Sequence, residues 1–367
     1  MKKLTYLILI TCTMLNSCTN KLSDTVKIIT ECDIMFTALY PENEPGAAVL
    51  IMKGDSIIFE KGYGIADMET MTPIDGNTFF NIASVSKQFS AVALMILAQE
   101  GKLSLDDTVD KWFPEFKSPL MSKITLRHLL SHTSGIPDSR DRTDRNFVLT
   151  STDTQSYAYI SHLKELNFEP GTDYEYMNPT FQLMYTIIEK ASGKNFDSFM
   201  RDRIFTPIGM EETTYFEADK FIPRMAHGYL YNKETKVYDE FDYGEESFFA
   251  SKADGGLYTS VREFTKWEKA LRDNLLISQE AKEEAHTPKI EIKETPHNYY
   301  GYGWYIEQRP DYPVKVYHTG DNGGFQIYAG RYPEQEILYL IFSNRNDRDR
   351  EHTAYEMDKI FKKEGWL

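Results

Sequence analysis

The pattern of apolar and polar positions changes twice along the chain, from strand-like to helix-like and back. Near the start, apolar runs at Ala47–Met52 and Ile57–Glu60 flank the turn sequence Lys53-Gly54-Asp55-Ser56. Two such runs around a turn predict a β-hairpin. After residue 84, apolar side chains recur at helical spacing until Gly101 stops the run.

Further helices are predicted at Thr125–Ser131 and Thr180–Ser192, the second opened by Asn178-Pro179 and closed by Gly193. The last part of the chain returns to strand character and ends in a predicted helix. The predicted elements are the strands Val314–Tyr317, Phe325–Tyr332 and Ile337–Ser343 and the helix Thr353–Lys363.

Strands at both ends with helices between them predict an α/β (α+β) architecture. We expect one antiparallel sheet built from both termini and flanked by helices, with a mainly helical subdomain inserted. The α/β part would comprise residues 34–83 and 251–367, and the helical part residues 84–250, of a domain over residues 34–367.

The first residues are typical of an export signal. Lys2 and Lys3 precede the mostly apolar run Leu4–Leu15, which is too short to span a bilayer. Leu15-Asn16-Ser17-Cys18 resembles the lipobox of bacterial lipoproteins. We therefore predict a signal peptide over residues 1–17, lipidation of Cys18 and a polar tether over residues 18–33. The alternative is a plain secretory signal with an incidental cysteine. The protein would be exported to the bacterial cell envelope and held at the membrane through its lipid alone.

Composition excludes some classes of function. Hydrophobic residues make up 41% of the chain, which is enough for a sizeable core. The net charge of -15 disfavours binding to nucleic acid and a polybasic grip on anionic lipid. With Cys12 in the signal and Cys18 lipidated, only Cys32 remains, so we expect no intramolecular disulfide and no cysteine-rich metal site.

Ser84 and Lys87 are the first candidates for chemistry. A serine and a lysine three residues apart at the start of a helix share one face, and the helix N-terminus favours a developing anion. A desolvated lysine can take the proton of the serine. The motif is short, since Ser161 and Lys164 repeat its spacing, and Ser84 could equally be a helix N-cap. The apolar helix directly after Ser84 favours it over Ser161.

Two further sequences could complete a site. Tyr176 and Asn178 form the only Tyr-x-Asn in the chain; a phenol can relay a proton, and an amide can both donate to and accept from a substrate. Alternatively, Asn178 is an N-cap and Tyr176 a core aromatic. His318-Thr319-Gly320 ends a predicted strand, where backbone N–H groups can face an oxyanion. Its alternative is a strand followed by a glycine-rich turn.

These three sequences, in this order, resemble the serine β-lactamase and penicillin-binding-protein family, nearest its class C branch, which includes esterases, D,D-peptidases and D-aminopeptidases. The resemblance spans about residues 45–345. It implies the β-lactamase/transpeptidase-like fold and an acyl-Ser84 intermediate, with Lys87 and Tyr176 sharing the proton transfers. Further blocks that support it are Phe80–Phe89, Ile124–Ile136, Phe168–Gly171, Pro207–Met210 and Gly255–Tyr258.

The resemblance also implies binding roles. Asn178 would contact the acyl side of the substrate, and the backbone N–H groups of Ser84 and Asp321 would form the oxyanion hole. His318, Thr319 and Gly320 stand where many relatives have Lys-Thr-Gly. A histidine is largely neutral at pH 7, whereas lysine is a permanent cation that attracts carboxylates. We therefore expect weak or no β-lactamase activity.

The sequence leaves three hypotheses for the function. The first is a hydrolase of esters, or of amides of D-amino acids or peptides, acting on a small molecule or peptide without a cofactor. The second is a D,D-carboxypeptidase or β-lactamase. The third is a catalytically inactive binding or sensor domain, which the presence of Ser84, Lys87 and Tyr176 disfavours.

Two remaining features are less informative. His128 and His132 could share a helix face, but no third ligand is evident and we expect no metal. The pocket walls would come from loops such as residues 138–156 and 228–250. The second loop is rich in tyrosine, phenylalanine and acids, which predicts either an aromatic, acidic rim that disfavours anionic substrates or an ordinary surface loop.

Overall fold

The computed structural model describes residues 24–138, 147, 151–217, 221–240 and 251–367. Short and long strands alternate with helices along the chain. The strands are β1 (Ala47–Lys53), β2 (Ser56–Tyr63), β3 (Ile65–Asp67), β4 (Thr72–Pro73), β5 (Phe80–Asn81), β6 (Thr214–Tyr215), β7 (Tyr229–Asn232), β8 (Val237–Glu240), β9 (Leu257–Thr259), β10 (Ile290–Glu291), β11 (Asn298–Tyr300), β12 (Tyr305–Glu307), β13 (Lys315–Asn322), β14 (Phe325–Tyr332) and β15 (Ile337–Ser343). The α-helices are α1 (residues 24–39), α2 (Lys87–Gln99), α3 (Val109–Trp112), α4 (Leu126–Leu130), α5 (Asp153–Tyr157), α6 (Asn178–Ser192), α7 (Phe196–Met200), α8 (Val261–Arg272), α9 (Gln279–Ala285) and α10 (Arg350–Lys363).

The main sheet has the order β10-β11-β12-β13-β14-β15-β1-β2, and its neighbouring strands are antiparallel. The N-terminal hairpin pairs with the last strand, Ala47 lying opposite Ser343. This confirms the predicted sheet built from both termini. The predicted hairpin and the three late strands are present, although β13 runs on beyond Tyr317 to Asn322. That extension carries His318 and its neighbours within a strand rather than after it.

Both faces of the sheet are covered, which explains why β1 is apolar from Ala47 to Met52. Ala48, Leu50 and Met52 join the larger core with α2 and α8, whereas Val49 and Ile51 join a second core with α1 and α10. Successive side chains of a strand point to opposite faces, so a strand with two covered faces loses the usual alternation.

The predicted tether is wrong for the part that the structure describes. Residues 24–33 belong to α1, whose side chains at Ile28, Cys32 and Phe36 are fully buried against the sheet. Their spacing of four residues puts them on one helix face, while Val26 and Ile34 lie on the exposed outer face. The predicted signal peptide and Cys18 lie outside the described residues.

The helices α2 to α7 lie in the chain between β5 and β9, two strands of a smaller sheet ordered β5-β9-β6. The helix predicted after Ser84 is α2, buried from Lys87 to Leu97, and α6 ends at Gly193 in the left-handed conformation. Across the described ranges, no helix combines the length and apolar character needed to cross a bilayer.

Candidate active site

Ser84 lies on a tight turn between β5 and α2. A 3-10 turn over Ala83–Ser86 joins the two elements. Ala83 has a φ of 47°, a left-handed conformation that residues other than glycine rarely adopt. The Asn81 side-chain oxygen accepts the Ala83 N–H at 2.8 Å and holds the turn. From residue 78 to residue 97, Ser84 alone is not buried. The turn therefore presents one hydroxyl at the surface of a closed core.

The side chain of Lys87 is fully buried beside that hydroxyl. Its Nζ lies 3.0 Å from Ser84 Oγ, 2.8 Å from Asn178 Oδ1 and 2.9 Å from the backbone oxygen of Asp254. It also lies 5.0 Å from the centre of the Tyr176 ring. The amide oxygen and the carbonyl oxygen can only accept, so they fix the orientation of the nitrogen towards Ser84.

A buried carboxyl group positions the loop that brings the Asp254 carbonyl to this nitrogen. Asp153, at the start of α5, accepts the N–H groups of Lys252 at 2.7 Å and Ala253 at 3.1 Å, and only 2% of its surface is exposed. Burial, together with the charge of Asp254, raises the pKa of Asp153 well above its ordinary value. Asp153 therefore supports the site from behind the loop.

The Asp254 carboxyl group is held separately, by Gln182 Nε2 at 3.2 Å. Sequence reasoning missed Asp153, Gln182 and Asp254. The only signal was the Gly255-Gly256 block directly after Asp254.

Tyr176 lies on a segment that His132 holds in place. His132 Nδ1 accepts the Met177 N–H at 3.1 Å, and the His132 carbonyl accepts the Glu175 N–H at 3.1 Å. The Tyr176 hydroxyl is buried and makes no hydrogen bond to the described residues. Burial raises the pKa of Tyr176 well above its ordinary value, whereas the Ser84 hydroxyl acts to lower that pKa. Tyr176 is thus a neutral phenol beside Ser84.

The interpretation of Asn178 as an N-cap is wrong. Helix α6 begins at Asn178 itself, and Met177 occupies the capping position without a side-chain hydrogen bond. The Asn178 oxygen binds Lys87 instead. Because Pro179 lacks an N–H, the first turn has one donor fewer to satisfy, and the amide is free for the site.

His318 lies on the inner face of β13, 1% exposed. Its Nδ1 is 2.6 Å from the Thr319 carbonyl oxygen, and its Nε2 is 2.9 Å from the Tyr300 hydroxyl. Burial, and next the charge of Lys87, lower the pKa of His318 to about 3. The ring is therefore neutral at physiological pH, as the sequence predicted. Tyr300 has no counterpart in the sequence analysis, since its segment carried no recognisable motif.

The three residues after His318 differ in where they lie: Gly320 faces the nucleophile turn, whereas the side chain of Asp321 does not. Gly320 lies against the nucleophile turn: a Cβ at this position would come 2.5 Å from the Ile82 carbonyl oxygen, so only glycine fits. Thr319 is half-buried beside it. The Asp321 side chain points away to the surface, where it is 62% exposed and pairs with Arg350 at 2.9 Å. Only the backbone of Asp321 remains a candidate for the site.

The second Ser-x-x-Lys sequence, Ser161 to Lys164, and the pair His128 and His132 have local structural roles. Ser161 Oγ donates to the Ala158 carbonyl at 2.8 Å and lies 2.7 Å from His162 Nδ1. His128 Nδ1 accepts the Thr125 N–H at 3.2 Å. Among the residues that the structure describes, no cluster of three or more His, Cys, Asp or Glu side chains could hold a metal ion.

The two loops predicted to form pocket walls are only partly described. Residues 139–146, 148–150 and 241–250 lie outside the described residues. The described part of the second loop contains the hairpin of β7 and β8, fastened to β15 by the bond from the Tyr229 N–H to the Asn344 carbonyl at 2.9 Å.

Comparison with known sequences gives a consistent result. A family model described as Beta-lactamase matches residues 37–360. The chain is 30% identical over 338 residues to Penicillin-binding protein 4* of Bacillus subtilis strain 168, covering 88% of this chain and 72% of that protein. It is 27% identical over 311 residues to Protein flp of Staphylococcus aureus strain MW2, covering 82% of this chain but only 60% of that protein.

Solved structures share the architecture. The octameric penicillin-binding protein homologue from Pyrococcus abyssi has a TM-score of 0.78 and 27% identity, over 95% of this chain and 77% of that one. The D-amino acid amidase from Ochrobactrum anthropi SV3, in complex with D-phenylalanine, has a TM-score of 0.75 and 24% identity, over 93% of this chain and 98% of that one; it shows the fold alone. With the family model matching most of its length, the chain belongs to the Beta-lactamase family and is a serine hydrolase.

Proposed function

We propose that the protein hydrolyses ester or amide bonds through an acyl-Ser84 intermediate, and that D-amino-acid amides or short peptides are its amide substrates. The observation that carries this proposal is the contact of 3.0 Å between the accessible Ser84 hydroxyl and the fully buried Lys87 nitrogen. A lysine in that position can act only on the serine and its substrate, because solvent does not reach it.

The hydrogen bonds of Lys87 support its role as general base. Lys87 becomes the base when its ammonium group loses one proton, and the neutral amine then has two N–H groups and one lone pair. Asn178 Oδ1 and the Asp254 carbonyl can take both N–H groups, which leaves the lone pair directed at the Ser84 hydroxyl. The serine proton then passes to Lys87 as Oγ attacks the carbonyl carbon of the substrate.

Tyr176 is suited to the second proton transfer. Tyr176 is a neutral phenol whose buried hydroxyl has no hydrogen-bond partner among the described residues. It can therefore donate its proton to the leaving group of a substrate bound at Ser84. In deacylation the Tyr176 phenolate left by that transfer would receive the proton of the attacking water, and the proton held by Lys87 would return to Ser84 Oγ as the acyl bond breaks. The backbone N–H groups of Ser84 and Asp321 would stabilise the oxyanion.

The test is labelling by a fluorophosphonate probe, followed by a substrate panel. We expect the wild type and Ser161→Ala to be labelled and Ser84→Ala to remain unlabelled, because Ser161 repeats the motif without the buried lysine. Equal labelling of Ser84→Ala and the wild type would refute the assignment. The panel contains p-nitrophenyl esters, D-amino-acid amides, D-Ala-D-Ala peptides and nitrocefin.

A D,D-carboxypeptidase or β-lactamase activity is the second candidate, favoured by the similarity to Penicillin-binding protein 4*. Neutral His318 opposes it, because the site has no cation at that position for the carboxylate of such substrates. Nitrocefin turnover at an efficiency on the order of 10⁶ M⁻¹s⁻¹ would establish this candidate instead.

We also propose export and attachment through a lipid on Cys18. The support is the sequence pattern around Cys18 and the membership of a family that includes penicillin-binding proteins. Metabolic labelling with an alkyne fatty acid should tag the wild type, and Cys18→Ala should lose the tag and appear in the soluble fraction. A tagged Cys18→Ala variant would contradict this proposal.

A further inference from the structure

Tyr300 occupies the centre of the aromatic cluster behind the candidate nucleophile. It is fully buried, and its ring centre lies 4.8 Å from that of His132 and 4.9 Å from that of Tyr305. Its hydroxyl is 2.9 Å from Nε2 of His318. Tyr300 therefore connects the segment that carries Tyr176, through His132, with strand β13.

Two contacts, one at each ring nitrogen, fix the protonation pattern of His318. The Thr319 carbonyl oxygen can only accept, so the Nδ1 that lies 2.6 Å from it carries the ring hydrogen. Nε2 is then the unprotonated nitrogen and accepts the hydroxyl hydrogen of Tyr300. With both nitrogens bonded within the protein and 1% of the residue exposed, His318 has no polar atom left for a substrate. This differs from the direct substrate contact that the sequence predicted for it.

The two cations near the neutral His318 ring already have partners within the protein. Lys87 and Arg350 are the positive groups that act on this ring. The Lys87 nitrogen is bonded to Ser84, Asn178 and the Asp254 carbonyl. Arg350 pairs with Asp321 at 2.9 Å and with Glu351 at 3.1 Å. A carboxylate arriving along β13 would thus meet a neutral ring and a guanidinium that already has two carboxylate partners.

We propose that Tyr300 is a positioning residue that sets substrate preference: its hydroxyl occupies Nε2 of His318, whose ring is neutral because it is buried beside Lys87, so that the site selects acyl compounds without a carboxylate beside the leaving atom. This rests on the proposed function, because it concerns the same acyl transfer to Ser84. The substrate class is accordingly neutral esters and amides rather than peptides with a free C-terminal carboxylate next to the scissile bond.

The test compares Tyr300→Phe with Tyr302→Phe. Tyr302 is a matched control because it is also buried, and its hydroxyl accepts a hydrogen bond from Arg127 Nη1 at 2.9 Å instead of contacting His318. The first readout is the ¹⁵N NMR spectrum of histidine-labelled protein, with His318 assigned from His318→Gln. We expect the His318 Nε2 resonance to move towards that of a free unprotonated nitrogen in Tyr300→Phe and to stay in place in Tyr302→Phe.

The second readout is kinetic. An acyl thioester of thioglycolate carries a carboxylate beside the leaving sulfur, and its methyl ester does not. We expect the ratio of kcat/KM, carboxylate over methyl ester, to rise about fivefold in Tyr300→Phe, because Nε2, unprotonated in the free variant, can take up a proton when the carboxylate binds and pair with it at roughly the strength of a surface ion pair. The ratio should not change in Tyr302→Phe.

Several outcomes overturn the proposal. An unchanged Nε2 resonance in Tyr300→Phe shows that Tyr300 does not position His318, and an unchanged kinetic ratio shows that it does not set the preference. If Tyr300→Phe does not fold, the wild type alone decides: its His318 should keep the neutral Nδ1–H pattern from pH 8 to pH 5, and an imidazolium pattern there contradicts the proposal. Failure of probe labelling at Ser84 with an intact NMR pattern would instead refute the proposed function.

Discussion

At the scale of single residues, the reactivity of Ser84 depends on two groups that reach it from different elements. Lys87 begins α2, directly after the turn that carries Ser84, and Tyr176 comes from a distant segment; the Lys87 side chain and the Tyr176 hydroxyl are both buried. General acid and base groups of this kind typically contribute 10²- to 10⁴-fold to rate.

Lys87→Met and Tyr176→Phe should therefore each lower kcat on a p-nitrophenyl ester by about 10²- to 10⁴-fold. The double variant should be little worse than the worse single variant, because the groups act as one unit. Lys164→Met, which alters the second Ser-x-x-Lys sequence, is the control and should keep the wild-type kcat. A Tyr176→Phe variant with nearly the wild-type kcat would rule out the proton transfer assigned to Tyr176.

The neutral state of His318 also predicts how stability depends on pH. Its pKa falls from 6.5 to about 3 on folding. Between these values the unfolded chain binds a proton that the folded protein does not, so stability decreases as the pH falls from 6.5 towards 3. The contribution of one such group is at most about 1.4 kcal/mol per pH unit. His132, whose pKa is also lowered by burial, adds in the same direction.

Urea denaturation at pH 7, 6, 5 and 4 measures this effect. The free energy of unfolding should fall less steeply with acid in His318→Gln than in the wild type. Parallel curves for the two proteins would mean that folding does not change the pKa of His318.

At the scale of secondary-structure elements, the site depends on how closely β13 passes the turn that carries Ser84. The Gly320 position is in contact with the Ile82 carbonyl, and Asn322 Nδ2 donates to Asn81 Oδ1 at 3.2 Å. These contacts join the sheet to the nucleophile turn.

Gly320→Ala should move β13 away from Ser84. We expect a loss of about 1–3 kcal/mol in stability from overpacking and a larger relative loss of activity. Gly193→Ala is the control: its φ of 71° makes alanine costly, by about 1–2 kcal/mol, but the space around it is open and it lies at the end of α6. It should keep its activity. Equal activity losses in the two variants would contradict the account.

Helix α1 provides a separate test, because the sequence predicted a tether there. Phe36→Ala should lower the free energy of unfolding by about 3–5 kcal/mol, as expected for a large buried aromatic. Ile34→Ala, on the same helix but 66% exposed, should change it by less than about 0.5 kcal/mol. If Phe36→Ala were as stable as the wild type, residues 24–39 would not pack against the sheet.

The limits of the sequence are clear at this scale. The hairpin, α2, α6 and the late strands follow from periodicity, and the spacing of Ser84 and Lys87 marks the nucleophile turn. Asp153 and Tyr300 could not be found, because each acts on a residue far away in the chain and only the packed fold brings them together. Helix α1 was missed because its first residues, Asp24 to Lys27, are mostly polar and its buried face begins only at Ile28.

At the scale of the whole molecule, the family match over residues 37–360 determines the architecture but not the substrate. The alignment with Protein flp covers only 60% of that relative, so its full activity does not transfer to this chain. What this chain adds is a neutral position on β13 and a strongly acidic composition, with a net charge of -15. Both features disfavour anionic substrates.

The central claim is that Ser84 is acylated during turnover. Rapid quenching of the wild type with a slowly hydrolysed ester, followed by intact-protein mass spectrometry and peptide mapping, measures this directly. We expect one added acyl group on the peptide that contains Ser84. It should appear during turnover and disappear when the substrate is exhausted. An acyl group on a different residue of the wild type would contradict this expectation. An undiminished rate of turnover in Ser84→Ala would contradict it as well.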